Sequence, residues 1–285
     1  MEMELLERNE LPMIRLIATD LDDTLLNEHG DISPRTLRAL KAAMETGCGV
    51  TLSSGRMLEA MLPFARQIGA NAPMLMFNGA MVYDHRTDQT IFSPVIKEEI
   101  AHQILKMAED MHLYIQAYPG KGYYCDEICE YTENYAKSVR VQPTAVHMPL
   151  SQWLKGDVVK MLIIDTPEGA DKAQAAMRAA FSQGACFMKS RPHYVEIAPE
   201  NVDKGYSLKI LAEHLGIDRS EIIAFGDGQN DVSMLQYAGI GYAMANACVE
   251  ARSCTSHIAP SNTEDGVAQV IEKHLINGDF GSLAG

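Results

Sequence analysis

Four short apolar runs punctuate the chain, and each closes on a polar turn: IRLIATD ending at Asp20, CGVTLSSGR ending at Arg56, APMLMFNGA ending at Ala80, and EIIAFGDGQND ending at Asp231. Uninterrupted apolar runs of this length suit parallel strands buried on both faces, rather than the alternating pattern of a half-exposed sheet. Helical patterns separate them. Ser33 followed by Pro34 reads as an N-cap and a first-turn proline, with a helix running towards Gly47. A second helix is expected after Arg56, fading near Gly69, and KGYSLKILAEHLG predicts a third, with Gly216 as its stop. Strand and helix in alternation predict an open α/β sheet.

The middle of the chain has another texture. IKEEIAHQILKMAEDM predicts a helix, LYIQAYPGKGYYCDE a hairpin, DVVKMLIID a strand, and EGADKAQAAMRAAF a second helix. Six tyrosines fall here: Tyr114, Tyr118, Tyr123, Tyr124, Tyr131 and Tyr135. The segment reads as an inserted α+β domain, and its tyrosines as packing or dimer contacts ahead of ligand stacking.

With 285 residues, nearly half of them apolar, the chain can build one large domain or two modest ones. A net charge of −14 argues against nucleic acid as a partner but leaves small phosphate esters open, because local donors can bind them inside an acidic protein. The six cysteines are scattered without metal-ligand spacing, which predicts free thiols in a reducing compartment. Residues 1–12 are acidic and lack the order of a secretory signal. No apolar stretch approaches the ~20 residues that a bilayer crossing needs. A cytoplasmic protein, without membrane contact, is the expectation.

In open α/β sheets ligands bind at the carboxyl ends of the strands. The residues at those ends are Asp20 and Asp22, Ser53 and Ser54, Asn78, and Asp227 with Asp231. Alternate residues of an extended chain point the same way, so Asp20 and Asp22 can reach one centre. Paired carboxylates can hold a hard cation such as Mg2+; equally, one can attack while the other moves protons; and a DxD alone is also an ordinary solvated turn. Asp231 can be a plain helix cap, whereas Asp227 lies between Gly226 and Gly228, which already make the turn. Lys204 starts a helix, where the macrodipole disfavours a cation unless an anion sits opposite. Ser53 and Ser54, read as opening the second helix, can bind a phosphate or serve only as N-caps.

Taken in order, strand-DxDxT, strand-SSGR, insertion, helix-start Lys and strand-GDGxND, the chain resembles the haloacid dehalogenase superfamily of phosphotransferases. Asp20-Leu21-Asp22-Asp23-Thr24 resembles its first motif, Ser54 its second, Lys204 its third, and Asp227 with Asp231 its fourth. The position of the insertion, together with FNGA, YVEIAPENVDKG and NTEDGVA, resembles Cof-type sugar phosphatases with a type IIB cap. The resemblance covers nearly everything from Ile14 to Leu275. Asp23 departs from it, standing where glycine is usual, a variant that a turn should tolerate.

The resemblance implies a Rossmann-like three-layer core with a parallel sheet and an inserted α+β cap of type C2B. Residues 1–12 would form an extension, 13–84 and 190–285 the core, and 85–189 the cap. It implies that Asp20 is a nucleophile forming an aspartyl phosphate, and that Asp22 is the acid and base. Mg2+ would be held by the Asp20 carboxylate, the backbone carbonyl of Asp22, and Asp227. Lys204, Ser54, Gly55 and Asn230 would meet the phosphate or the rest of the substrate. Thr24 would orient the first loop and Asp231 support the metal's waters or Lys204. Replacing Lys204 should then cripple turnover at little cost in stability. The implied activity is a phosphatase acting on small phosphorylated metabolites, sugar phosphates first. Passage of the same phosphoryl group to another hydroxyl is the enzymatic rival, and a non-catalytic phosphometabolite binder the rival of another class. A homodimer is compatible with this reading.

Overall fold

The computed structural model describes residues 13–120 and 122–276; the extension expected over residues 1–12 lies outside the described residues. Five strands form one wholly parallel sheet in the order His257–Ala259, Ile240–Met244, Ile222–Gly226, Leu16–Thr19, Gly49–Leu52. Leu16, Ile17, Ala18, Ile222, Ile223 and Ala224 have no solvent exposure, as strands covered on both faces require. The helices Pro34–Glu45, Leu58–Ile68 and Lys204–Leu215 add Leu40, Met61 and Leu211 to the same core. Ser33 caps the first, accepting from the Thr36 amide at 3.1 Å. Gly69 and Gly216 end the other two in the left-handed conformation, at φ +77° and +63°.

APMLMFNGA departs from expectation. Met74–Met76 pairs with the parallel sheet through an isolated bridge between Ser53 and Leu75. It otherwise opens a three-stranded antiparallel sheet with Met81–Asp84 and Gln89–Phe92. The chain reverses because Phe77, Asn78 and Gly79 all take positive φ, +54°, +57° and +96°. Gly79 alone can do so without strain, and a Cβ there would also lie 2.3 Å from the Asp203 carbonyl oxygen.

The insertion builds a six-stranded sheet in the order Cys186–Arg191, Tyr194–Ala198, Lys160–Ile164, Tyr114–Tyr118, Tyr124–Cys125, Thr144–Ala145. All pairings are antiparallel except that of the last two strands. Side chains alternate along its three strands Tyr194–Ala198, Lys160–Ile164 and Tyr114–Tyr118. Ile115, Ala117, Met161, Ile163, Val195 and Ile197 pack with Ala101, Leu105, Ala173 and Met177 of the helices Glu98–Asp110 and Pro167–Ala180. The intervening residues, Gln116, Tyr118, Lys160, Leu162, Tyr194 and Glu196, therefore face the other way.

This sheet overruns the expected insertion limits. A boundary at 189/190 would cut the strand Cys186–Arg191, and Tyr194–Ala198 pairs with Lys160–Ile164 inside the cap sheet rather than in the core. At the other limit, a cut at 84/85 would split the hairpin Met81–Asp84/Gln89–Phe92. No helix among the described residues is long and apolar enough to cross a membrane. All six cysteines are free.

Candidate active site

Register assembles the site. Thr19 lies level with Leu52 on one side and Phe225 on the other, so the residues that leave these strands emerge at one edge. The ladder continues one step beyond each: the Asp20 amide donates to the Phe225 carbonyl at 3.0 Å, and the Ser53 amide to the Thr19 carbonyl at 2.9 Å. Asp20 and the loop carrying Asp227 and Asp231 are thus neighbours, although some two hundred residues separate them.

Lys204 joins them. Asp203 caps its helix by accepting from the Tyr206 amide at 2.7 Å, which leaves Lys204 in the first turn with a wholly buried side chain. Its Nζ donates to Asp20 Oδ1 at 2.6 Å and to Asp231 Oδ1 at 2.5 Å. The two carboxylates answer both the unfavourable dipole and the cost of burying an ammonium, and they hold its pKa above the ordinary lysine value despite that burial. Asp231 also folds its own loop, with Oδ2 accepting from the amides of Asp227 and Gly228 at 3.0 and 2.9 Å. Gly226 permits this approach, because a Cβ there would fall 2.4 Å from that of Asp231.

Asp20 is nearly buried. Burial pushes its carboxyl up, Lys204 pulls it down, and Asp231, Asp227 and Asp22 push it up again. Asp227 accepts from Thr24 Oγ1 at 2.7 Å. Burial first, then Asp231 and Asp23, outweigh that bond and raise Asp227 to about 7. Through this bond Thr24 links the first loop to Asp227. Asp23 is exposed at φ +56°, the conformation in which glycine is usual.

Asp22 does not join this group through its side chain. Arg56 grips it with both arms of its guanidinium, Nε to Oδ2 at 2.8 Å and Nη2 to Oδ1 at 2.6 Å. Burial raises the Asp22 carboxyl, but this fork, with Arg191 and Lys204 behind it, holds it below the usual carboxylate value. Arg56 is thereby a half-buried partner of Asp22. Ser53 and Ser54 are not N-caps. The helix starts at Leu58 with Met57 at the cap, and Ser54 Oγ accepts instead from the Arg56 amide at 3.2 Å. The Ser54 amide is engaged by the Leu75 carbonyl at 2.9 Å, so it is the hydroxyl that can serve a ligand. Asn230 donates to Asn78 Oδ1 at 2.9 Å across the same edge.

Asp20, Asp22, Ser54, Asp227, Asn230 and Asp231, though not Ser53, Thr24 or Lys204, line one cleft of about 220 Å3, whose opposite wall is the cap. Tyr135, Ser138, Lys160, Ser190, Arg191 and Glu196 form that wall. A register shift between Lys189 and Arg191 bulges the strand there, and both Ser190 and Arg191 reach the cleft, which plain alternation would forbid. Sequence reasoning missed Lys160 and Glu196. Their signal was a charge inside an otherwise apolar strand, in VVKMLII and YVEIA.

A sequence profile described as haloacid dehalogenase-like hydrolase matches residues 17–271. The chain belongs to the haloacid dehalogenase-like hydrolases. Among relatives of this hydrolase, the pyridoxal phosphate phosphatase YbhA of Escherichia coli is 29% identical, over 92% of this chain and 99% of its own. The crystal structure of TM0651 from Thermotoga maritima superposes at a TM-score of 0.84, with 32% identity over 92% of this chain and 97% of that one. A haloacid dehalogenase-like hydrolase from Bacteroides thetaiotaomicron superposes at 0.85, with 28% identity over 91% of this chain and 99% of that one. The resemblance read from the motifs to the Cof-type branch is borne out, as is the parallel core with its added antiparallel cap.

The donor set of this hydrolase fits a hard divalent cation. Asp20, Asp227 and Asp231 each offer a carboxylate oxygen, and these lie within 4.8 Å of one another. Asp231 is already committed, with one oxygen on Lys204 and the other on two backbone amides. Asp20 Oδ2 and Asp227 Oδ2 carry no hydrogen bond from a described residue, which makes Asp20 and Asp227 the side chains able to hold the ion.

Proposed function

We propose that this hydrolase is a Mg2+-dependent phosphatase of small phosphate monoesters, sugar phosphates foremost, working through an aspartyl phosphate on Asp20. One observation carries the reading: a buried Lys204 bridges Asp20 and Asp231 at the mouth of three parallel strands, beside Asp227 and beneath the cap. Asp20 attacks phosphorus, a bond forms from its carboxylate oxygen, and the ester P–O bond breaks. The departing alkoxide takes its proton from Asp22. Asp22, now ionised, draws a proton from water; that water attacks phosphorus, the P–O bond to Asp20 breaks, and inorganic phosphate leaves. Lys204 lowers the charge on Asp20, while the Ser54 hydroxyl and Asn230 stand where phosphate and substrate oxygens can bond. When bound by Asp20, Asp227 and the Asp22 carbonyl, Mg2+ offsets the repulsion between a carboxylate and a phosphate dianion. The partner is a small phosphorylated metabolite, and a net charge of −14 argues against a nucleic acid.

Acid-quenched enzyme should carry phosphate on the peptide containing Asp20, after exposure to a hydrolysed sugar phosphate and Mg2+. Turnover with the phosphoryl group trapped elsewhere would end the assignment.

Arg56 gives a pH prediction. It holds Asp22 ionised, the form that activates water; for the earlier donation to the alkoxide, Asp22 must leave this fork and take up a proton. In Arg56→Ala the burial of Asp22 is no longer countered by the fork, so its pKa rises. The acid limb of dephosphorylation, where Asp22 becomes protonated, should move to higher pH. A limb that stays in place in a stopped-flow pH series removes Asp22 as the base.

Asp227 gives a second. Its carboxyl titrates near 7 in the fold and near 3.9 when unfolded. A raised folded pKa means that the metal-free protein loses stability as pH climbs from about 4 through 7. Mg2+ needs the ionised carboxylates, so it recovers that loss. The rise in melting temperature on adding Mg2+ should be larger at pH 8 than at pH 5; equal shifts would show that Asp227 is not a ligand.

A further inference from the structure

The reversal at FNGA, which the chemistry above does not use, lies where the loops of the site meet. Its backbone is tied to the Ser54 loop: the Phe77 amide donates to the Arg56 carbonyl at 3.2 Å, and the Asn78 amide to the Ser54 carbonyl at 3.0 Å. It is tied as well to the helix of Lys204, where Ser207 Oγ donates to the Gly79 carbonyl. The Asn78 side chain reaches a third loop. Its Oδ1 accepts from Asn230 Nδ2 at 2.9 Å. It also packs so closely on Gly55 that a Cβ there would come 2.9 Å from Asn78 Oδ1 and 3.1 Å from Nδ2. Asn230 is confined from its other end, since its Oδ1 would lie 2.4 Å from a Cβ on Gly228. Asn78 is buried and borders the cleft, whereas Asn230 is exposed.

Asparagine takes the left-handed conformation more readily than most residues, so the φ of +57° at Asn78 is by itself a reason for its presence. The side-chain contacts go further than that role needs. An exposed amide that nothing held would turn about its own bonds. The bond to Asn78 selects one orientation of Asn230, with the nitrogen towards the Ser54 loop. That nitrogen carries two hydrogens; Asn78 takes one, which leaves the other for an oxygen of the ligand. Asn78 touches both loops, and so sets the direction of this hydrogen relative to the Ser54 hydroxyl. Donors fixed in advance need no reorganisation when charge develops on the oxygens they face. The cap wall contributes no such tie to Asn230; its charges Lys160 and Glu196 are paired with each other.

We infer that Asn78 is a positioning residue of the phosphoryl site, holding the Asn230 amide in fixed relation to the Ser54 hydroxyl, an inference that rests on the phosphatase reading above. The measurement is kcat/KM for p-nitrophenyl phosphate with saturating Mg2+, taken below the thermal transition of each variant. Asn78→Gly keeps the left-handed backbone without strain and removes only the side chain. It should lower kcat/KM about tenfold, the scale of one neutral hydrogen bond. Asn230→Ala then separates positioning from packing. Alone it should lower kcat/KM about tenfold, but about threefold or less when Asn78 is already glycine, because the two residues act as a pair. In Asn78→Asp, which keeps an acceptor oxygen and suits the same backbone, Asn230→Ala should again have its full effect. Equal effects of Asn230→Ala in the wild type and in Asn78→Gly overturn the inference, and so does undiminished kcat/KM in Asn78→Gly. Asn78→Ser, too short to reach Asn230, gives the same comparison if the glycine variant does not fold. Wild-type protein inert towards p-nitrophenyl phosphate and sugar phosphates alike would instead sink the phosphatase reading itself.

Discussion

Asp20→Asn should abolish phosphate release, lowering kcat by on the order of 10⁴-fold or more, while the protein keeps its fold. The amide matches the carboxylate in shape and still offers an oxygen to Lys204, 2.6 Å away. What it lacks is the nucleophile, and no other described carboxylate can replace it. Asp22 is gripped by Arg56, Asp231 is bonded through both oxygens, and Asp227 is tied to Thr24. The substitution also removes one of several like charges from a buried cluster that raises the Asp20 pKa. The melting temperature without Mg2+ should therefore hold or rise. Substantial Mg2+-dependent turnover by this variant would reject Asp20 as the attacking group.

Lys204→Met is expected to damage both activity and stability. The sequence alone suggested that removing Lys204 would cost little stability, as for a cation at an exposed helix start. The structure overturns this, because the side chain has no solvent exposure and is bonded to two carboxylates. Removing it strands Asp20 and Asp231 in the interior. Breaking a buried pair in this way costs about 3–5 kcal/mol, which lowers the melting temperature by on the order of 10 °C in a protein of this size. Turnover, measured below the new transition and with saturating Mg2+, should drop about 10²–10⁴-fold, the scale set by losing one preorganised cation from a phosphoryl-transfer site. An unshifted transition would show that the two carboxylates do not depend on Lys204. An unchanged kcat/KM would remove it from the site. Asp20→Asn with Lys204→Met should be more stable than Lys204→Met alone, since it takes away one of the stranded charges.

Much of this was legible along the chain wherever the governing physics is local. The cap at Ser33, the glycine stops at Gly69 and Gly216, and the buried strand Ile222–Gly226 follow from residues a few positions apart. The motif residues could be read too, because their order and their places at strand ends are properties of the sequence. Errors arose where distant groups decide. Ser53 and Ser54 carry the signature of N-caps, yet the chain runs on to Leu58 before turning helical, and the Ser54 hydroxyl goes to Arg56. The limit at 189/190 failed because strand Tyr194–Ala198 finds its partner in Lys160–Ile164, a pairing that periodicity cannot choose. APMLMFNGA looks like the other buried runs, and only three successive left-handed residues turn it into a hairpin.

By itself, the sequence determined that the apolar runs are buried, where the helices Pro34–Glu45 and Lys204–Leu215 begin and end, and which acidic and basic groups sit at the strand tips. Each of these depends on side-chain size, polarity and local backbone preference. The tertiary structure alone decided the pairings: Lys204 with Asp20 and Asp231, Arg56 with Asp22, Lys160 with Glu196. These come from strand register and helix placement, which set distances of a few ångströms between residues far apart in the chain. Charge and hydrogen-bond energies change steeply over such distances, so the protonation states and roles of these groups are fixed by the fold.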